Sequence, residues 1–446
     1  MQKIKVFGGF MSKNGVRIRI GLVLLLMLLP LMAGCGAFRD QSAPAAATEA
    51  KAATEKPSAK TIIVYARGMD DTKATARLLE AYNAQSETVT VKYQELAADT
   101  KQRYAQMVSS LEEDEVEFDV FDAEIVWPAE FAKRGFAAQM DEHVEQAAMD
   151  MSVFFPGTVA ALTYQDALWG IPKTASAGVL YYRLDLMNEA PSSWAALLSI
   201  AETQSLAPYG FAANGAANDS LVSVALEFIY AYGGRVLDEN GQVTVNSPEA
   251  AKGLDAMRKL YTSEAVPPNM LAMTDNDAYA MFLSGESAMM RNWPYAWAHR
   301  AQAASSVSGK FAIAPLPAGD AGASSVMGGV VLMMNAKSEK ADAVWDFMQF
   351  VASKEGQAIL AVHGGRVPAR RDVMQMPEVL VSNPHFCEQN FVRAIEEAVP
   401  RAVTPYYTRI SAAMQEELER FLRMEMDAAA AASNMEIRIK LILGEE

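Results

Sequence analysis

Four histidines, two cysteines and a surplus of carboxylates are the groups with which this 446-residue chain could do acid–base or covalent chemistry. The histidines (His143, His299, His363 and His385) are scattered, with no His-x-x-x-His helix and no Cys/His cluster at the spacing zinc requires. No Gly-x-Ser-x-Gly elbow presents a serine nucleophile, and no glycine-rich P-loop cradles a phosphate. Carboxylates crowd at Glu112, Glu113, Asp114, Glu115 and Glu117, the pattern of a solvated loop or helix edge. A glycosidase needs two carboxylates at a set separation in space, which adjacency along the chain does not supply. The 26 methionines are dispersed, and Met289-Met290 and Met333-Met334 fall inside apolar runs, so core packing accounts for them better than copper. These residues point away from catalysis, and no cofactor is expected.

The bulk properties narrow the partners. With 39 Lys plus Arg against 54 Asp plus Glu the net charge is -15, and the basic residues at the extreme N-terminus leave the remaining body more acidic still. Such a surface repels phosphate backbones, which excludes nucleic-acid binding as the expected task. The length and 51% apolar content allow two or three domains, each with its own core. With only Cys35 and Cys387, the fold must rest on packing rather than a disulfide framework.

Residues 1–34 read as an export signal: a basic start, the uncharged run IGLVLLLMLLPLM (20–32), then small residues. That run is short of the roughly 20 residues a membrane span needs. Met32-Ala33-Gly34-Cys35 resembles a bacterial lipoprotein signal, in which the Cys35 thiol is acylated and becomes the new N-terminus; simple secretion and an uncleaved anchor are the alternatives. Residues 35–60, rich in Ala, Thr, Pro, Glu and Lys, read as a flexible tether. Beyond Met426 the chain is expected to extend a helix and end in a short apolar tail, 431–446.

Between these ends, TIIVYA (61–66), TVTVKY (88–93) and FDVFDA (118–123) predict strands, with helices over 72–85 and 101–112. This βαβαβ pattern implies a parallel sheet covered by helices. A helix starts at Pro128; AGVLYYR (177–183) predicts a strand, LVSVALEFIYAYGG (221–234) a helix closed by glycine, and Ser247-Pro248 the capped start of a helix reaching about Tyr261. GGVVLMMN predicts a strand and KADAVWDFMQFVASKEGQAILA one helix. Three Gly/Pro clusters are candidate crossings between lobes: Gly170-Ile171-Pro172, the stretch 319–329, and residues 363–368.

Several of these segments, in this order, resemble the extracytoplasmic solute-binding proteins of ABC importers, in particular the sugar-binding group that includes the trehalose/maltose-binding proteins. The stretches are DVFDAEIVWPAEFAKRG (119–135), IPKTASAGVLYYRLDL (171–186), FLSGESAMMRNWPYAW (282–297), GKFAIAPLP (309–317), GGVVLMM, GGRVPARRDV (364–373) and RAVTPYYTRIS (401–411). The run RNWPYAW, with two Trp, a Tyr and a Pro, is the most specific. The resemblance implies an α/β, periplasmic-binding-protein-like (type II) fold: two lobes, 61–170 plus 328–365 and 171–327 plus 366–430, joined by three hinge crossovers with a ligand cleft between them.

It also implies a site. Glu124 stands where an acid grips sugar hydroxyls, since a carboxylate accepts two hydrogen bonds at once. Trp293 and Tyr295 match the aromatic platform, on which a stacked pyranose face is worth roughly 1.5 kcal/mol per ring. Trp297 is expected in the core. Arg103 and Arg366 approximate cleft-facing arginines, and Gly329 lies beside them in the pattern. The departures are Thr174 and Ser176, where relatives commonly carry an aromatic and an Asp, and Val330, where a Trp is common. Because a charged hydrogen bond is worth ~1.5 to 3 kcal/mol, these losses favour a smaller or less hydroxylated solute than a disaccharide. The function implied is capture of a sugar or polyol by hinge closure and its delivery to ABC permease subunits, by a monomer held to the membrane through lipid at Cys35. An extracellular carbohydrate-active enzyme and a sensory module coupled to a receptor are the alternatives.

Overall fold

The computed structural model describes residues 59–70, 72–203, 206–238, 240–299 and 305–444; the export segment, Cys35 and nearly all of the tether lie outside the described residues. In chain order the strands are β1 (Thr61–Gly68), β2 (Val89–Leu96), β3 (Val120–Glu124), the short pair β4 (Thr163–Tyr164) and β5 (Ala167–Leu168), β6 (Ile171–Ala177), β7 (Val179–Arg183), β8 (Tyr209–Ala212), β9 (Ser287–Asn292), β10 (Phe311–Pro315), β11 (Met327–Met334) and β12 (Val367–Pro368).

As the βαβαβ pattern requires, β1 lies between β2 and β3 and is parallel to both. Helices Ala74–Gln85 and Thr100–Glu112 connect them, the second capped by Asp99, whose side chain accepts from the Gln102 amide. Ile63 and Tyr65 of β1 and Val120 and Phe121 of β3 are buried, because helices cover both faces. The complete sheet has six strands in the order β12-β6-β11-β3-β1-β2, with β11 antiparallel to β3 and β6. It is therefore mixed, because β11 returns only after the chain has built a second sheet. That sheet has the order β10-β7-β9-β8. Helix Asp219–Ala231, buried from Leu221 onward, is the centre of its core, packed by helices Pro248–Tyr261 and Tyr407–Leu422.

Four expectations change. The first crossing is not at Gly170-Ile171-Pro172: Ile171–Ala177 pairs with β11 and β12 inside the six-stranded sheet, and the chain changes sheets at Gly178. Gly170 instead permits a close approach, since a Cβ there would sit 2.8 Å from the Leu332 carbonyl. Likewise 367–368 joins the six-stranded sheet, so the third crossing comes after residue 368. The single helix expected after β11 is two, Ala341–Ala352 and Lys354–Gly364, broken at Ser353, which is extended (ψ 166°) and caps the second helix through the Gly356 amide. The C-terminal stretch is a separate helix, Ala428–Leu443: Met424 takes a positive φ of 65°, Asp427 caps the new helix, and Ala431, Ala432, Met435 and Ile439 are buried.

The three passages between sheets are tied to each other. Ser325 Oγ donates to the Gly178 carbonyl (2.8 Å), the Val399 amide to the Ser325 carbonyl (2.9 Å), and the Met327 amide to the Val399 carbonyl (2.8 Å). One residue from each passage thus meets in a single hydrogen-bonded knot, where small φ/ψ changes could swing one lobe against the other.

Candidate functional site

The sheet register brings the site together. Glu124 on β3, Val330 on β11 and Thr174 on β6 are consecutive cross-strand partners, so they form one row beside the carboxyl ends of β1 and β3. Ligands of open α/β sheets bind at such carboxyl ends. Around this row a cavity of about 190 Å³ is lined by Arg67, Asp70, Asp122, Lys173 and Arg366, together with Arg103 and Leu360.

A register irregularity explains how β6 supplies two adjacent residues to it. Val330 pairs with Thr174 but Val331 with Pro172, which leaves Lys173 as the extra residue of a bulge. Pro172 is tolerated there because a bulge does not call on its missing N–H. Lys173 and Thr174, which would alternate faces in a regular strand, both line the cavity. Thr174 Oγ1 accepts from the Val330 amide (3.1 Å), holding the distorted rung. Gly329 is required by the same crowding: its φ is 137°, and a Cβ would lie 2.3 Å from the Thr174 carbonyl.

Charge dominates the cavity wall. Asp122 accepts from the Tyr65 hydroxyl (2.6 Å) and from Lys173 Nζ (2.6 and 2.9 Å), and Arg67 Nε lies 3.4 Å away. Burial pushes the Lys173 ammonium down to about 8 against the pull of Asp122, while burial and then Asp122 push the Tyr65 phenol up. Asp70 accepts from the amide and hydroxyl of Thr72, from the Thr75 amide, and pairs with Arg67 at 3.2 Å. Burial opposes its charge, yet the Thr72 and Thr75 hydrogen bonds and Arg67 hold it well below the usual carboxylate range. Glu124 is engaged by Arg103 at 2.6 Å, and Arg103 is itself held by the carbonyls of Ala97 and Ala98.

The second sheet contributes aromatic rings. Trp293 and Tyr295 follow the end of β9; the Tyr181 hydroxyl donates to the Trp293 carbonyl (2.9 Å) and Asn292 Oδ1 accepts from the Trp293 amide (2.8 Å). Both rings are half-buried. Trp293 reaches the first sheet: a Cβ on Gly328 of β11 would lie 2.7 Å from its Cζ3, and Gly328 is the cross-strand partner of Ser176. The Arg291 guanidinium carbon stands 4.3 Å from the Trp293 ring centre, and that of Arg366 5.9 Å from the Tyr295 ring. Trp297 is in the core, edge-on to Phe311 at 5.5 Å.

The structure therefore gathers Glu124, Val330, Thr174, Arg103 and Arg366 on one cavity. Ser176 and Gly329 lie along the same strands outside its lining, and Trp293 and Tyr295 approach it from the other sheet through Gly328 and Arg366. The sequence reading missed Arg67, Asp70, Asp122 and Lys173. Two signals marked all but Asp70, which lies past the end of β1: charged residues at inward positions of apolar strands, as in FDVFDA, and a proline followed by lysine within a strand.

Beneath the hinge, Glu227 and Arg291, both 0% exposed, form a two-pronged ion pair with one bond of 2.9 Å. Among the described residues no group of three or more His, Cys, Asp or Glu is placed to hold a metal, and no helix is long and apolar enough to cross a membrane.

Two α/β lobes, three tied passages and a polar cavity in the first lobe, at the carboxyl ends of its strands, define a type II binding protein. Residues 66–358, about two thirds of the chain, match the model of the bacterial extracellular solute-binding proteins. A "Probable ABC transporter-binding protein" of Deinococcus radiodurans is 29% identical over 372 residues, 80% of this chain and 87% of the relative. Maltose-bound MalE3 of T. maritima is 30% identical and superposes with a TM-score of 0.78, covering 86% of this chain and 100% of that one. A solute-binding protein of Agrobacterium radiobacter in complex with ribitol shares the fold at 22% identity and a TM-score of 0.74, covering 87% of this chain and 100% of that one. The chain belongs to the bacterial extracellular solute-binding protein family; it is an extracytoplasmic binding protein and not an enzyme.

Proposed function

We propose that this protein captures a small sugar or polyol between its lobes and presents it to the permease of an ABC importer. The observation that carries this reading is the junction itself, where Glu124, Val330 and Thr174 face a cavity of about 190 Å³ and the Trp293 and Tyr295 rings reach over from the other lobe. The maltose and ribitol held by the two similar structures support a hydroxylated ligand. The small cavity, with Val330 on its wall in place of a bulkier ring, favours one sugar unit or a linear polyol. Ligand touching both lobes stabilises the closed state by its differential affinity for it. In this reading one lobe comprises 61–177 with 327–398 and the other 179–325 with 400–444, hinged at Gly178, Val326 and Val399.

Thermal shift against mono- and disaccharides and polyols tests the proposal: a ligand at a hundredfold excess over its Kd adds ~2.7 kcal/mol of stability. Trp293→Ala should weaken the best ligand roughly tenfold, from ~1.5 kcal/mol of lost stacking, with the fold intact by circular dichroism. Unchanged affinity would remove the ring from the site. The lipoprotein reading of Cys35 predicts that Cys35→Ser moves the protein from the membrane fraction to the soluble one, and an unaltered distribution would refute it.

A further inference from the structure

Resting on that reading, we propose that Arg291 is the positioning residue for the Trp293 ring, and that Glu227, which no ligand reaches, sets ligand affinity by holding the Arg291 guanidinium against that ring. The backbone of Trp293 is fixed by other groups. Its carbonyl accepts from the Tyr181 hydroxyl, its amide donates to Asn292 Oδ1, and Asn292 Nδ2 donates to the Asp275 carbonyl (2.9 Å). Those bonds leave the two side-chain torsions of the tryptophan undetermined. A ring that visits several rotamers must be ordered as part of binding, and affinity falls accordingly.

The guanidinium supplies what the backbone bonds do not. Its carbon stands over the ring, 4.3 Å from the centre, and its flat surface suits an aromatic face. It is itself fixed: Nε donates to Glu227 Oε2 (2.9 Å), Nη2 donates to Oε1, and Nη1 lies 3.6 Å from Asp275 Oδ1. Arg291 and Glu227 are wholly buried, so water does not weaken the attraction between cation and ring. From the other lobe, Gly328 gives the ring room, since a Cβ there would lie 2.7 Å from Cζ3. The pair also abuts the first passage, where a Cβ on Gly178 would lie 2.7 Å from Arg291 Nη2. The ring is thereby referenced to the hinge, and apolar side chains of similar bulk would fill the space without orienting it.

The full chain carrying Glu227→Met together with Arg291→Leu tests this, because replacing both members of a buried pair by apolar residues avoids the cost of a stranded charge. Without ligand, the near-ultraviolet circular dichroism of Trp293 is isolated in each background by subtracting the spectrum of the Trp293→Phe form. In the paired variant it should fall to less than half its wild-type intensity, with the far-ultraviolet spectrum unchanged. With ligand, calorimetric titration with D-glucose, maltose and ribitol should show a roughly tenfold loss for whichever binds the wild type, and Trp293→Ala should cost nothing further in the paired variant. A merely structural pair would leave the Trp293 signal intact and make the two losses additive, and either result would overturn the inference. If the paired variant does not fold, Arg291→Lys, which keeps a charge opposite Glu227 but no planar group against the ring, carries the same expectations. Binding of none of the three by the wild type would overturn sugar capture as read here, and the Trp293 signal would still uphold or overturn the anchoring of the ring.

Discussion

Two buried ionic assemblies, one in each lobe, differ in what they open onto. In the second lobe Glu227 and Arg291 are wholly enclosed, face each other through two hydrogen bonds, and have Asp275 at 3.6 Å. A Cβ on hinge residue Gly178 would lie 1.9 Å from Glu227 Oε1, so this pair is wedged against the first passage between lobes. In the first lobe Asp122 and Lys173 are buried and Arg67 partly so, all three on strands, and they form the wall of a cavity. Desolvating an ion costs several kcal/mol, and only excellent pairing repays it. The enclosed pair is repaid by its own geometry and supports the hinge and Trp293. The open cluster is paired as well, with Arg67 Nε 3.4 Å from Asp122, but its charges face a cavity that a ligand can enter.

The largest expected effect separates the two assemblies. Glu227→Gln removes both hydrogen bonds of the buried Arg291 charge, leaves only Asp275 at 3.6 Å, and should cost ~3 to 5 kcal/mol of stability in urea denaturation. Ligand should restore little of it, since none reaches the pair. A loss below about 1 kcal/mol would show that water or another acid compensates Arg291, and the contrast between enclosed and open charge would fall.

The open cluster should instead respond to pH. The folded Lys173 ammonium titrates at about 8, below the ~10.4 of an unfolded lysine. Below pH 8 both states hold the proton and the residue adds no pH dependence. Between pH 8 and about 10 the unfolded state binds the proton and the folded state does not, so the stability contribution rises, by at most ~1.4 kcal/mol per pH unit. Subtracting the profile of Lys173→Met from that of the wild type isolates this rise. A flat difference would mean that Asp122 holds the lysine charged throughout.

How much of this was legible beforehand follows from what each feature depends on. The strands β1, β2, β3 and β11 and the helices around them could be read, because their apolar periodicity is local. Glu124, Trp293 and Tyr295 could be singled out because short motifs carry them. The first crossing was misplaced because Gly170-Ile171-Pro172 has the composition of a turn, whereas Pro172 in fact marks a bulge inside a strand; only pairing with β11, more than 150 residues away, distinguishes the two. The break at Ser353 was hidden because the residues on both sides keep a helical pattern, and the stop is set by one capping side chain. Arg67 and Asp122 were hidden for a related reason: a charge in an apolar strand is unexplained until its partners from other strands are known.

The smallest expected effect tests whether that bulge serves the site. Thr174→Val conserves shape but removes the acceptor of the Val330 amide, and a lost neutral hydrogen bond costs about 1 kcal/mol. If the bond merely contributes to stability, ligand affinity in the variant stays within twofold of the wild type. If it holds the bulge that turns Lys173 and Thr174 onto one cavity, the strand can relax towards regular alternation and affinity should fall roughly tenfold, more than the stability loss alone would give. Thr174→Ser, which keeps the acceptor, should then recover most of the affinity. Failure of the serine variant to do so would assign the loss to the methyl group's packing and detach the bulge from ligand recognition.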